Sequence, residues 1–279
     1  MSLLRDTETP RAAETTAVTA FVFDAHESGQ VEDWRAALGR LAEGQLLWLA
    51  LRDVSEEDVS ALQEALELRE EHAHRLLESP SKASLSDSSE RMAVTLYAAG
   101  GKDGQPVLVP IECLLGPNWV VTAERETVEI LEEFRERAAG GGQIGELDAP
   151  SFVAEIAEWV IAGYFRAFEA VEAELEEFDA RVITSRVPND VTSDLEQLVQ
   201  LRRAIGTLRR ALAPHREVVL ALSQPELDAL STQDSARRFA AVERHVIQAL
   251  DAARETKEST FGSFDLLVAR IGQRTRTTS

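Results

Sequence analysis

The clearest structural signal in the sequence lies in residues 239–271, FAAVERHVIQALDAARETKESTFGSFDLLVARI. Its apolar and small side chains recur at alternating steps of three and four residues, with one slip: Phe239, Val242, Val246, Ala249, Ala253, Thr256, Thr260, Phe264, Leu267 and Ile271. This spacing predicts one long α-helix with a coiled-coil seam. At 1.5 Å per residue, a helix over 232–279 is roughly 70 Å long. One small core does not cover that length, so we expect oligomerisation along this helix.

Two more helices are predicted before it, within 151–231. Apolar side chains at helical spacing run from Phe152 to Val182, where VPND interrupts the pattern. Ser193 followed by Glu196 is a capping-box signal and predicts the start of the second helix, which is followed by Pro214 and a further stretch to Leu222. The preceding segment GGGQIGELDAP, residues 140–150, is rich in glycine and predicts a hinge.

The N-terminal half alternates between strand and helix signals. Residues 1–16 are interpreted as a flexible lead, and residues 17–139 as an α/β unit of about 120 residues. AVTAFVFDA and LLWLALRD are typical of strands, and Ser55 followed by Asp58 indicates a helix start. The sequence therefore predicts an α+β protein: an α/β/α sheet domain, a helix pair and a long C-terminal helix.

Charge excludes some partners. Asp and Glu outnumber Lys and Arg by 49 to 29, a net charge of −20. Such a field repels nucleic acid and attracts cations, although acidity can also serve solubility alone. Cys113 is the one cysteine, so no intramolecular disulfide is expected. The apolar stretch at 107–121 is interrupted by charged, glycine and proline residues, so we expect no membrane span within this sequence.

The acidic residues are concentrated in one region. Residues 126–185 hold fifteen acidic and four basic side chains. Four of the acids fall three or four residues apart on one helical face: Glu169, Glu172, Glu176 and Asp179. This acidic row is either an ordinary solvated face or a rim that collects cations.

Three segments occur together in an informative order: LLGPNWVVTAERE (114–126), LRRAIGTLRRALAPHREVVLAL (201–222) and ERHVIQALDAARETKESTFGSFDLLVARIGQRT (243–275). In this combination the chain resembles the cytosolic part of the CorA/ZntB family of divalent-cation channels, over 17–279. The resemblance implies an acidic sheet domain, two antiparallel helices and a stalk helix over 232–279 that continues into the first of two membrane spans. It also implies a pentamer in the full-length protein, at the cytoplasmic face of the membrane, transporting Mg²⁺, Co²⁺ or Zn²⁺.

The resemblance also suggests metal-binding positions. At the position of Asp265 the family carries an acid that faces the central axis, where a ring of carboxylates attracts hydrated Mg²⁺. The alternative is an ordinary exposed helix acid. A regulatory acid of some relatives aligns with Ala241, which is no ligand, and nearby candidates are Asp234, Glu243 and Asp251.

Two features concern the end of the chain. The family's Gly-Met-Asn signature follows the first span and is not in this sequence, and Arg276 stands where relatives usually carry Asn. In a pentamer, the five copies of Arg276 would place five positive charges at this position and oppose cation passage. Residues 263–279 have a net charge of +2, which suits either a cytoplasmic membrane surface or an ordinary helix C-terminus.

Other functions receive less support. A soluble coiled-coil scaffold with the same fold, without transport, is the main alternative. No catalytic constellation stands out, so we do not expect an enzyme. Glu71, His72 and His74 are weak candidates for a metal site, because residues two apart do not share a helix face.

Overall fold

The computed structural model describes residues 18–24, 28–88, 91–102, 105–126, 129–140, 147–184, 191–224 and 230–277. The strands are β1 (Val18–Phe23), β2 (Ser28–Val31), β3 (Leu46–Arg52), β4 (Ser84–Ser88), β5 (Arg91–Lys102), β6 (Gln105–Leu115) and β7 (Trp119–Glu124). The helices are α1 (Trp34–Leu38), α2 (Glu56–Leu66), α3 (Glu70–Leu77), α4 (Glu129–Ala139), α5 (Ala149–Thr184), α6 (Val191–Leu222) and α7 (Gln233–Thr277).

The seven strands form one mixed sheet in the order β2-β1-β3-β7-β6-β5-β4. Among the strands that the structure describes, only the central β3–β7 pair is parallel, with Leu49 opposite Val121. Successive residues of β3 are buried on opposite faces: Leu47 and Leu49 pack toward α2 and α3, while Trp48 packs toward α5. A strand covered on both faces is apolar throughout, which explains the LLWLAL run. The sheet with its covering helices is the predicted α/β/α arrangement.

An aromatic cluster joins the sheet to the helices behind it. The indole of Trp48 lies 5.1 Å from the Phe21 ring, 5.3 Å from Phe152 on α5 and 5.6 Å from Phe134 on α4. The indole N–H of Trp48 donates to Thr122 Oγ1 at 2.9 Å, so its one polar group is satisfied within the core. The hydrophobic core therefore continues from the sheet into α5.

The predicted hinge at 140–150 falls largely on residues 141–146, outside those that the structure describes. Helix α5 begins at Ala149, so Pro150 at the end of the predicted hinge lies in its first turn. Proline is tolerated in a first helical turn, where its missing N–H has no intrahelical partner to lose. Asp148 caps this turn by accepting from the Ser151 N–H at 2.8 Å. The division of the chain into domains remains a prediction.

The long C-terminal helix is confirmed as one continuous element of 45 residues. Polar contacts between α5 and α7 occur in increasing order along both helices: Glu155 with Arg238 at 3.0 Å, Glu158 with His245 at 2.7 Å and Glu172 with Thr256 at 2.8 Å. The two helices are therefore parallel. Helix α6 runs antiparallel to both, since Arg181 near the end of α5 lies 3.8 Å from Asp194 near the start of α6.

The expectation that no core within the chain covers the seam of α7 is wrong. α5 and α6 each pack along α7, and together they bury most of the predicted seam: Phe239, Val242, Val246, Ala249, Ala253, Thr256, Thr260 and Leu267. A helix of this length finds enough cover because α5 and α6 are themselves 36 and 32 residues long. A contact between copies that involves α7 must therefore use another face of this helix.

Helix α6 differs from expectation at its start and near its end. It begins at Val191, so Ser193 lies inside the first turn, and it passes through Pro214 without a break. The neighbouring His215 is fully buried and accepts a hydrogen bond from the Tyr97 N–H on β5 at 2.9 Å. Packing on the sheet and on α7 holds this segment helical despite the backbone hydrogen bond that proline removes.

Among the described helices, none contains a segment that is both long and apolar enough to cross a membrane.

Candidate functional site

Exposed apolar side chains gather at one end of the helical layer, where α5 ends, α6 begins and α7 approaches its C-terminus. Of the eight large apolar side chains that stand exposed among the described residues, only Leu220 lies elsewhere. The other seven are Ile183, Val191, Leu195, Val199, Phe261, Phe264 and Val268. A concentration of this kind indicates an interaction surface.

The slip in the predicted seam explains why part of this surface belongs to α7. Ser263, not Phe264, takes the buried position between Thr260 and Leu267. Phe264 is 45% exposed, and Phe261 and Val268 are similarly exposed. We call Phe261, Phe264 and Val268 the α7 apolar patch.

Asp265 lies within the α7 apolar patch, adjacent to Phe264 and three residues before Val268. Its side chain is exposed, and among the described residues it has no ion-pair partner within 4.0 Å. A carboxylate in this position is free to meet a cation or a second copy of the chain.

The other acids proposed on α7 lie far from Asp265. Asp234 and Asp265 are 31 residues apart, which is about 46 Å along a helix. Asp234 is paired with Arg238 at 3.2 Å and Asp251 with Arg254 at 3.1 Å, while Glu243 is half-buried. In the described part of the chain, no three His, Cys, Asp or Glu side chains converge closely enough to hold a metal ion. The four candidates therefore do not form one site within a single copy.

The acidic row on α5 also lies on the surface. Glu169 and Glu176 are exposed, and Glu172 is exposed while accepting from Thr256 on α7. Asp179 is half-buried, and its Oδ1 has no hydrogen-bond partner among the described residues. Glu169, Glu172 and Glu176 therefore present carboxylate oxygens to solvent along about two turns of the helix.

Two buried carboxylates were not anticipated from the sequence. Glu112 on β6 is fully buried, accepts from Thr95 at 2.7 Å and pairs with Arg75, while Glu124 on β7 pairs with Arg135. Burial raises the pKa of both carboxyl groups, against the opposing effect of the arginines. The sequence signal that could have revealed them is a charged residue within a run of apolar strand residues. Such a residue needs a partner when both faces of its strand are covered. These groups hold α3 and α4 to the sheet.

The histidines of α3 point in different directions. His72 is buried and His74 is exposed, so the two rings do not converge on one site, although His72 Nε2 lies 3.9 Å from Glu71 Oε1. Neither ring nitrogen of His72 has a hydrogen-bond partner among the described residues, and burial lowers the pKa of this histidine. His72 is a packing residue of the α2–α3 layer.

Comparison with known proteins gives the class of the chain. Residues 43–278 match the family model described as "CorA-like Mg2+ transporter protein". This covers well over half of the sequence, and the chain belongs to the CorA-like family, whose members are transporters. By sequence, no curated protein matches the chain.

Several solved structures share the fold. The full-length CmaX protein has a TM-score of 0.78 at 19% identity, with 94% of this chain and 80% of that chain covered. The soluble domain of CorA from Methanocaldococcus jannaschii has a TM-score of 0.75 at 13% identity, with 91% and 98% covered. The cytoplasmic domain of ZntB from Vibrio parahaemolyticus RIMD 2210633 has a TM-score of 0.70 at 12% identity, with 92% and 100% covered. The predicted family and fold are therefore confirmed.

Proposed function

We propose that this chain is the cytoplasmic part of a divalent-cation transporter for Mg²⁺, Co²⁺ or Zn²⁺, and that it forms an acidic, regulatory funnel at the cytoplasmic face of the membrane. In the full-length protein it assembles as a homopentamer and is anchored by transmembrane helices that follow α7. Membership of the CorA-like family supports transport, and the surface chemistry of the described residues supports the cation-attracting role.

The observation that carries the proposal is the α7 apolar patch with Asp265 inside it. Apolar side chains at this density are covered in a working assembly, and the seam of α7 is already occupied by α5 and α6. When copies meet through the patch around a symmetry axis, their Asp265 carboxylates form a ring. A ring of carboxylates attracts a hydrated cation without having to remove its water.

The overall charge favours the same role. A net charge of −20 per copy is multiplied in an oligomer, and Glu169, Glu172 and Glu176 of the acidic row are exposed. At physiological salt such a field reaches about 8 Å before it is screened. It therefore raises the local cation concentration close to the surface and discourages nucleic acid from binding.

A titration of the chain with MgCl₂ or ZnCl₂ tests the cation role. We expect millimolar divalent cation to raise the melting temperature and promote self-association, because it neutralises the facing carboxylates. Asp265→Asn removes most of this response, while Glu64→Gln, an exposed acid on α2, serves as the matched control and keeps it. A wild-type chain that ignores both cations contradicts the regulatory role.

The assembly face is tested separately by sedimentation velocity without divalent cations. Phe264→Ser weakens self-association, whereas Leu220→Ser, equally exposed but distant from the patch, leaves it unchanged. If association through the patch persists with no response to cations, the alternative of a soluble coiled-coil scaffold that reuses the fold is favoured over transport.

A further inference from the structure

Two oppositely charged surfaces flank α7. Residues 167–180 of α5 contain six acidic residues and no basic one. Residues 198–216 of α6 contain five arginines and no acidic residue. All five arginines are exposed, and none has an ion-pair partner within 4.0 Å among the described residues: Arg202, Arg203, Arg209, Arg210 and Arg216. We call this set the α6 arginine row.

The two rows do not neutralise each other within the chain, because α7 lies between them. Glu172 accepts from Thr256 on α7, and the guanidinium of Arg202 lies 5.4 Å from the centre of the Phe261 ring on α7. α5 and α6 each pack extensively on α7 and only slightly on each other. The chain therefore carries a negative edge and a positive edge, both open to solvent.

The rows also lie at the same height along the bundle. Arg181 near the end of α5 is level with Asp194 near the start of α6, and the two helices run in opposite directions. Nine residues back along α5 is Glu172, and nine residues forward along α6 is Arg203. With equal rises per residue, these two positions are level to within about one helical turn.

We propose that a second copy of this chain docks its acidic row, Glu169, Glu172, Glu176 and Asp179, against the α6 arginine row of the first. Because the rows are level, the contact requires rotation about an axis parallel to the helices and little translation along it. A heterologous contact of that kind closes into a ring instead of extending as a filament. The inference rests on the proposed oligomer and names the contact between its neighbouring copies.

A second copy fits this surface better than an unrelated anionic partner. The α6 arginine row leads directly into the exposed Val199 and Leu195, so the edge offers an apolar strip beside its charges. Nucleic acid and anionic lipid headgroups match only the charge of this edge. Another copy brings complementary charge at the right height together with its own exposed side chains.

Charge reversal on each edge tests the contact in sedimentation velocity runs of the whole chain. Arg203→Glu with Arg210→Glu places acid against acid, and Glu169→Arg with Glu176→Arg places base against base. Each double variant should weaken self-association at least tenfold. The four substitutions combined restore opposite charges and should return the association constant to within about threefold of wild type. Added NaCl should weaken wild-type association, since exposed ion pairs are screened.

The matched control for the acidic-row variant is Glu57→Arg with Glu64→Arg, two substitutions of exposed acids on α2 that change the net charge by the same amount and sign. This control should associate like wild type. The proposal is overturned by unaltered association of the reversed variants, by failure of the combined variant to recover, or by a wild-type chain that stays monomeric. Binding of phosphatidylserine vesicles through the arginine row without self-association also overturns it. If charge reversal on the two edges has no effect but Phe264→Ser still disrupts the oligomer, the proposed function is retained and only the contact between the two rows is rejected.

Discussion

At the scale of single residues, His215 shows how the fold fixes a protonation state. Its Nε2 accepts from the Tyr97 N–H at 2.9 Å, and its Nδ1 lies 3.1 Å from the carbonyl oxygens of Ala211 and Leu212. These contacts require a neutral ring with the proton on Nδ1. Full burial lowers the pKa of His215 from 6.5 to about 4, because the charged form loses its hydration.

His215 should make stability depend on pH between about 4 and 6.5. The unfolded chain binds a proton in this range and the folded chain does not, so stability falls as the pH falls. From pH 7 to pH 5 the loss is about 2 kcal/mol from this residue. His215→Gln removes the titration while leaving an acceptor for the Tyr97 N–H. Urea unfolding at pH 7 and pH 5 should show a smaller change in the free energy of unfolding for the variant than for the wild type. An equal change in both proteins would contradict the role given to His215.

The buried ion pair of Glu112 and Arg75 gives a second prediction. Glu112→Ala leaves the arginine, whose side chain is only 17% exposed, without its carboxylate, and should reduce the free energy of unfolding by about 3–5 kcal/mol. Urea denaturation measures the change. Glu71→Ala on the exposed side of α3 is the control and should change stability by less than about 1 kcal/mol. A small effect at Glu112 would show that the pair adds little to holding α3 on the sheet.

At the scale of elements, two helical glycines should respond in opposite directions to alanine. Gly262 on α7 has open space around it, so Gly262→Ala should stabilise the protein by about 0.5–1 kcal/mol through helix propensity. At Gly163 on α5, an added Cβ would lie 2.9 Å from the Ala99 carbonyl oxygen of β5. Gly163→Ala should therefore cost about 1–3 kcal/mol. Thermal and urea unfolding measure the stability change of each variant. Changes of the same sign would contradict the described packing of α5 on β5.

The same scale shows what sequence patterns can and cannot predict. Periodicity identified α7 because its small and apolar residues repeat over more than 30 positions. It could not show that α5 and α6 cover the seam, because a heptad pattern looks the same whether the partner is another copy or the same chain. Ser263 is buried where the pattern predicted Phe264, because the rotation of α7 about its own axis decides which side chains face α5 and α6. Helix propensity does not predict that rotation.

Site prediction from the sequence was limited for a related reason. The acidic row on α5 could be recognised from spacing alone; Glu169, Glu172 and Glu176 are exposed and Asp179 is half-buried. The role of Asp265 remains a prediction, because a ring around an axis is a property of several copies. Glu112 and Arg75 are 37 residues apart, and only the sheet brings them together.

At the scale of the whole molecule, the continuous core predicts one unfolding transition. Phe152 on α5 contacts Trp48, Phe23 and Phe134, so it links the sheet to the helical layer. Phe152→Ala should cost about 3–5 kcal/mol. Tryptophan fluorescence and far-ultraviolet circular dichroism should still report coincident transitions, because sheet and helices lose the same core. Separated transitions would mean that the two layers fold independently.

Asp148 joins the starting points of two parallel helices. One of its oxygens accepts from the Ser151 N–H in the first turn of α5, and the other accepts from the Thr232 hydroxyl at 2.7 Å, one residue before α7 begins. An axial displacement of α7 must therefore either break this hydrogen bond or draw α5 along with it. A force applied at the C-terminal end of α7 is thus transmitted about 60 Å or more along the helix, to the single carboxylate of Asp148.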